Sequence, residues 1–76
     1  MEEKILEILK CINEDILTYD GNSMIVDGII NSFEIIEIVA EIEEKFDIEI
    51  DTENLIAENF ENKDTIIKMA KKILKL

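Results

Sequence analysis

Between Asn31 and Phe46 the apolar residues recur with the period of an α-helix, and this stretch limits the possible folds more than any other. Ile35, Ile38, Val39, Ile42 and Phe46 fall at i, i+3, i+4, i+7 and i+11, on one helical face. Phe33, Ile36, Glu37, Ala40, Glu41 and Glu44 fall on the other. Asn31 suits an N-cap, because its side-chain oxygen can accept from the free amides of the first turn. Glu34, three residues on, completes a variant of the capping box and suits the positive end of the helix dipole. Ser32 is then the first helical residue. Its hydroxyl lies beside unpaired backbone N–H groups, where a phosphate would be well placed electrostatically.

Two further stretches carry the same period. Residues 2–17 predict a first helix with Ile5, Ile8, Leu9, Ile12 and Ile16 inward and Glu3, Glu7, Lys10 and Glu14 in water, and Cys11 packs at the stripe's edge. The turn residues Tyr19-Asp20-Gly21-Asn22 end it. Asn62 caps a last helix from Lys63 to about Leu74, with Ile66, Ile67, Ala70, Ile73 and Leu74 inward. Lys68, Lys71, Lys72 and Lys75 face out and complement its negative end. Between the first two helices lies a long loop, residues 18–30. Met24, Ile25, Val26, Ile29 and Ile30 pin it to the helices, and Gly28 supplies an unusual backbone conformation. Ser23 sits in an ordinary turn there and is assigned no chemistry. Asp47–Asp51 alternates with period two but has no second strand to pair with, so it reads as an extended connector burying Ile48 and Ile50. A short helix around Thr52–Ala57 follows. Three main helices and one short one make a single all-α bundle, residues 1–76.

At 76 residues the chain is near the lower limit for burying an adequate core unaided. Cys11 is the one cysteine and there is no histidine, which removes disulfides and structural zinc from consideration. A reducing compartment follows. With no charged-then-apolar leader and no long uncharged apolar run, the expected location is the cytoplasm, without membrane insertion. The net charge of −11 argues against nucleic acid and favours partners with basic patches.

Catalysis by the chain itself is poorly supported. No Ser-His or Cys-His pair exists, no glycine-rich phosphate cradle occurs, and the glutamates are spread over solvated faces. Asp47, Glu49, Asp51, Glu53 and Glu58 match positions 1, 3, 5, 7 and 12 of a calcium loop, but Thr52 stands where that loop needs glycine. The outer face of the second helix carries more information. Phe33, Ile36 and Ala40 form an apolar strip bordered by Glu34, Glu37, Glu41 and Glu44, a docking surface with an acidic rim. Because Asn31 does the capping, the Ser32 hydroxyl beside that strip is left free.

Asp27-Gly28-Ile29-Ile30-Asn31-Ser32-Phe33 resembles the Gly-x-x-Asp-Ser-Leu signature of acyl carrier proteins, the phosphopantetheine-binding family. The continuation through Glu37-Ile38-Val39 and Glu43-Glu44-Lys45-Phe46-Asp47-Ile48-Glu49-Ile50 resembles the rest of the carrier's second helix and its exit. Length, acidity and helix order are similar over essentially the whole chain. The resemblance implies an antiparallel four-helix bundle with a 4′-phosphopantetheine arm on Ser32, next to Asn31. It also implies a non-catalytic monomer that holds an acyl or aminoacyl group as a thioester. Phe33, Glu34, Ile36, Glu37, Ala40, Glu41 and Glu44 would meet its partners. Those partners would be a phosphopantetheinyl transferase, an activating enzyme and downstream thioester-using enzymes. Asn31 replaces the family's usual Asp, and Phe33 its Leu. With the Leu55–Phe60 segment, these resemble D-alanyl carriers or discrete nonribosomal peptide and polyketide carriers more than fatty acid biosynthesis carriers. An unmodified carrier-like interaction module and a small calcium-binding protein are the alternatives.

Overall fold

The 3.6 period of the sequence is carried by four α-helices: α1 (Glu2–Ile12), α2 (Asp15–Thr18), α3 (Ser32–Phe46) and α4 (Lys63–Leu74). The computed structural model describes residues 1–75, among which there is no strand; Leu76, the last residue of the expected domain, lies outside them. The first helix is shorter than its apolar stripe. It stops at Ile12, Asn13 takes extended backbone (φ −163, ψ 101), and α2 resumes at Asp15. The reason is local competition. The Asn13 Oδ1 accepts from the Asp15 amide at 3.1 Å, an alternative to helical pairing that asparagine offers readily. Ile16 stays on the stripe and is fully buried, so the break reorients the chain without losing its apolar register.

α1 is the hub, in contact with α2, α3 and α4. Ile5, Leu9, Ile16, Met24, Ile38, Ile42, Ile66 and Ala70 are completely shielded from water, and no polar side chain is buried among the described residues. Each such Ile or Leu contributes about 1.5–3 kcal/mol of burial, so the small core rests on nearly pure aliphatic packing. The Cα radius of gyration is 11.2 Å, against about 11 Å expected for a folded domain of this length. No helix among the described residues is long and apolar enough to cross a membrane.

The loop between α2 and α3 is pinned largely as expected. Met24 and Ile30 are buried, Ile25 and Ile29 half-buried, and the Met24 amide donates to the Glu61 carbonyl at 2.9 Å. Val26 departs from the expectation. It is 83% exposed, because the Ser23–Asp27 turn, closed by the Asp27 amide on the Ser23 carbonyl, turns Met24 inward and its neighbour two residues on outward. Cys11 also departs: it is exposed rather than packed at the stripe's edge.

After α3, Asp47 reverses the chain in left-handed backbone (φ 52). The period-two stretch then runs as an extended connector. The Glu43 carbonyl accepts from the Ile48 amide at 3.1 Å and the Glu43 carboxylate from the Ile50 amide at 2.8 Å. Ile50 is buried and Ile48 half-buried. The short helix expected around Thr52–Ala57 is instead two 3₁₀ turns, Thr52–Asn54 and Ala57–Phe60. Asn59 Nδ2 donates to the Asn54 carbonyl at 2.7 Å across the gap, and Phe60 anchors the pair in the core. The fourth α-helix is therefore α2, not this segment.

Candidate functional site at the start of α3

The start of α3 is built as its sequence demands. Asn31 has extended backbone (φ −114, ψ 175), and its Oδ1 accepts from the Glu34 amide at 2.8 Å. The Glu34 Oε1 accepts in return from the Asn31 amide at 3.2 Å, closing the capping box. Ser32 follows as the first helical residue, exposed, and its hydroxyl takes no part in the box. Ser23 is different: half-buried, its Oγ accepts from the Val26 amide at 3.3 Å and closes a turn.

The backbone entering the site is shaped by two glycines. Gly28 lies at φ +73 with open space where a Cβ would stand, so its left-handed conformation, not crowding, selects glycine. At Gly21 a Cβ would run into the Tyr19 ring and the Asp27 carboxylate. Those two side chains clamp the loop. Tyr19 Oη donates to Asp27 Oδ2 at 2.5 Å and accepts from the Ser23 amide at 2.7 Å. Desolvation first, then the hydrogen bond to the Asp27 carboxylate, pushes the Tyr19 hydroxyl above the ordinary tyrosine range.

The strip beside Ser32 is in water. Phe33 is 70% and Ile36 65% exposed, and Ala40, Glu37, Glu41 and Glu44 are exposed with them. Glu34 stands apart from this set. It is half-buried and engaged, its Oε2 accepting from Asn13 Nδ2 at 3.3 Å. Sequence reasoning missed Val26, Leu55 and Ile56, three more apolar side chains left exposed. The signal for Val26 was its place two residues after the buried Met24 within one turn. A groove of about 340 Å³ between α1 and α3 is lined by Glu7, Ile8, Cys11, Ile12, Glu37 and Glu41, with Lys45 also on its wall, so the acidic rim continues toward α1 beside one cation.

Charge is segregated along the chain. No lysine or arginine occurs between Cys11 and Glu44, whereas Lys63, Lys68, Lys71, Lys72 and Lys75 all fall on or directly after α4. An anion attached at Ser32 therefore meets carboxylates nearby. Partial compensation comes from the N-terminal amides of a 15-residue helix and from a neutral asparagine cap in place of a carboxylate. The residues present thus fit a phosphodiester on Ser32. The acidic segment 47–58 offers no comparable fit to a cation: among the described residues, no three His, Cys, Asp or Glu side chains are grouped so as to hold one metal ion. Comparison with protein-family models, with curated proteins and with solved structures found no match for this chain.

Proposed function

We propose that this chain is a phosphopantetheine-type carrier protein, a four-helix antiparallel bundle that acts in the cytoplasm as a monomer and catalyses nothing itself. The observation that carries this reading is the exposed Ser32 hydroxyl, left out of a complete capping box and adjoining an apolar strip with an acidic rim. A 4′-phosphopantetheine arm supplies, when bound, a thiol that holds an acyl or aminoacyl group as a thioester. The chain's own residues do the rest. Ser32 offers the attachment oxygen, and the α3 amides and the neutral Asn31 accommodate the phosphodiester charge. Phe33, Ile36 and Ala40 supply apolar contact, and Glu37, Glu41 and Glu44 steer enzymes with basic docking patches. Such enzymes are the transferase, the acyl- or aminoacyl-activating enzyme and the users of the thioester. Restricting the cargo to a tether around α3 raises its local concentration at each of them.

The test is intact mass after incubation with coenzyme A and a broad-specificity phosphopantetheinyl transferase. The wild-type chain gains one phosphopantetheine, and Ser32→Ala gains none while keeping its helical circular dichroism. A modified Ser32→Ala protein, or an unmodified wild type, rejects the assignment. An unmodified chain that still bound partners through α3 would be an interaction module, the reading that Asn31 in place of the signature's Asp favours.

A further inference from the structure

One side chain, in the break between α1 and α2, reaches both sides of Ser32. Asn13 Nδ2 donates to the Ile29 carbonyl at 2.8 Å, three residues before the serine, and to Glu34 Oε2 at 3.3 Å, two residues after it. Its Oδ1 meanwhile accepts from the Asp15 amide at 3.1 Å, the bond that starts α2. The partners fix the orientation of this amide. Turned over, its oxygen would face a carbonyl and a carboxylate, and its NH₂ would face an N–H. Only a primary amide supplies two donors and an acceptor from one planar group, so serine, threonine or aspartate cannot replace it at this point.

We propose that Asn13 is a positioning residue for Ser32, holding the Ile29–Glu34 segment at one orientation to the body of the domain. The capping box by itself does not do this. Its two hydrogen bonds, Asn31 to Glu34 and back, are internal to the start of α3, and the packing of Ile38 and Ile42 fixes the helix one turn and more beyond the serine, so neither ties the serine's own turn to the α1–α2 break. The loop's own bonds, from the Ile29 and Ile30 amides to the Met24 carbonyl, hold the chain ahead of the serine. Asn13 joins the two, since it is hydrogen-bonded to Ile29 on the loop side and to Glu34 on the helix side. Glu34 consequently works inward: one oxygen closes the cap and the other receives Asn13. This removes it from the docking rim and makes it the second half of the positioning device. The consequence for the serine's reactivity rests on the carrier reading; the geometric consequence does not.

The test separates Asn13's two halves. Asn13→Asp keeps the acceptor that starts α2 but removes both donors and sets a carboxylate against Glu34. The double variant Asn13→Asp with Glu34→Gln restores a donor–acceptor pair between positions 13 and 34 with the roles exchanged, and leaves the Ile29 carbonyl without its donor. In it the glutamine still offers an oxygen to the Asn31 amide, and the net charge is unchanged. Two measurements are made on wild type and both variants: amide hydrogen exchange, and the steady-state loading of Ser32 by the transferase. Asn13→Asp should accelerate exchange across residues 29–35 by about tenfold or more, since it loses two hydrogen bonds, one of them to a charged group. Exchange in α4 should not change. It should lower kcat for loading by a similar factor with KM little changed, because the docking strip is untouched. The double variant should recover the helix side alone: exchange over residues 32–35 should return toward wild type and kcat should rise part of the way, while residues 29–31, whose link through the Ile29 carbonyl is not restored, should stay accelerated. Three outcomes overturn the proposal: unchanged exchange in Asn13→Asp, acceleration spread equally into α4, or no recovery over residues 32–35 in the double variant. If wild type itself is not loaded, the carrier reading falls, and the exchange data alone decide the role of Asn13.

Discussion

α3 and α4 are built on one plan. Each opens on an asparagine whose side chain accepts from the amide three residues on, with that residue's side chain returning the bond: Asn31 with Glu34, Asn62 with Thr65. Each closes on a residue in left-handed backbone, Asp47 at φ 52 and Lys75 at φ 60. Each buries an aliphatic stripe, Ile38 and Ile42 in one, Ile66, Ile67, Met69 and Ala70 in the other. Their outer faces differ. α4 covers its outer side with lysines, which suit its C-terminal dipole and interact well with water. α3 instead exposes Phe33 and Ile36 next to a free serine hydroxyl. Nothing in the stability of a single chain accounts for that, because exposed aromatic and aliphatic surface gains nothing from folding. The difference therefore marks the α3 face as the surface on which the proposed partner contact rests.

The comparison would break most visibly in the core. Ile38→Ala and Ile66→Ala, at fully shielded positions of the two helices, should each cost about 2–5 kcal/mol in denaturant unfolding. Phe33→Ala and Ile36→Ala should stay within about 0.5 kcal/mol of wild type. If Ile36→Ala destabilises as much as Ile38→Ala, the outer strip belongs to the core and the contrast disappears.

The shared caps predict a smaller and equal effect. Asn31→Ala and Asn62→Ala should each cost about 1 kcal/mol. Asn31→Asp should leave stability nearly unchanged, since aspartate caps equally well, while speeding Ser32 loading if the transferase reads the missing charge. Equal loading rates would mean that the charge at this position is silent.

Charge reversal sharpens the contrast without touching stability. Glu37→Lys with Glu41→Lys should slow association with a loading enzyme and flatten its salt dependence, because rim charges act on encounter. Lys68→Glu on α4 should leave the association rate where it was. Ile36→Ala should raise the dissociation rate instead, as it truncates the apolar centre of the contact. If α4 and α3 reversals slow binding alike, only net charge is being sensed.

The smallest effect belongs to the Tyr19–Asp27 clamp. The folded chain raises the tyrosine's pKa, so it favours the neutral phenol. The clamp's stabilisation is then fully present below the unfolded tyrosine's pKa and is lost as pH rises through the higher folded value. Wild type should lose stability in that alkaline window relative to Tyr19→Phe, and the two should run parallel at neutral pH. Parallel curves throughout would show that the hydroxyl's ionisation is not coupled to folding.

The bounds and N-caps of α3 and α4 were legible in the sequence, and most of their inward faces with them, because N-cap chemistry and a 3.6 period are set by neighbours within one or two turns. Met69, buried on α4, was not among the residues expected inward, and Ile73 and Leu74, which were, are only half-buried. The serine at the first helical position was legible too, as was the need for glycine at position 28. The break at Asn13 was not. The apolar stripe runs through it undisturbed, and two of the amide's partners, Ile29 and Glu34, lie 16 and 21 residues away. Val26 emerged exposed for a related reason: a loop with five apolar residues has room in the core for some of them, and packing chose Met24 and Ile30. The second of the 3₁₀ turns after Ile50 carries Phe60 into the core and packs against α4, where Thr65 Oγ1 donates to the Asn59 carbonyl at 3.2 Å. Thus the sequence alone determined where α3 and α4 lie and which residue each starts on, since caps and period are short-range properties. The break in the first helix and the form of the Thr52–Phe60 segment were decided elsewhere. The orientation of the Ser32 segment was decided by hydrogen bonds and packing between residues that only the tertiary structure brings together.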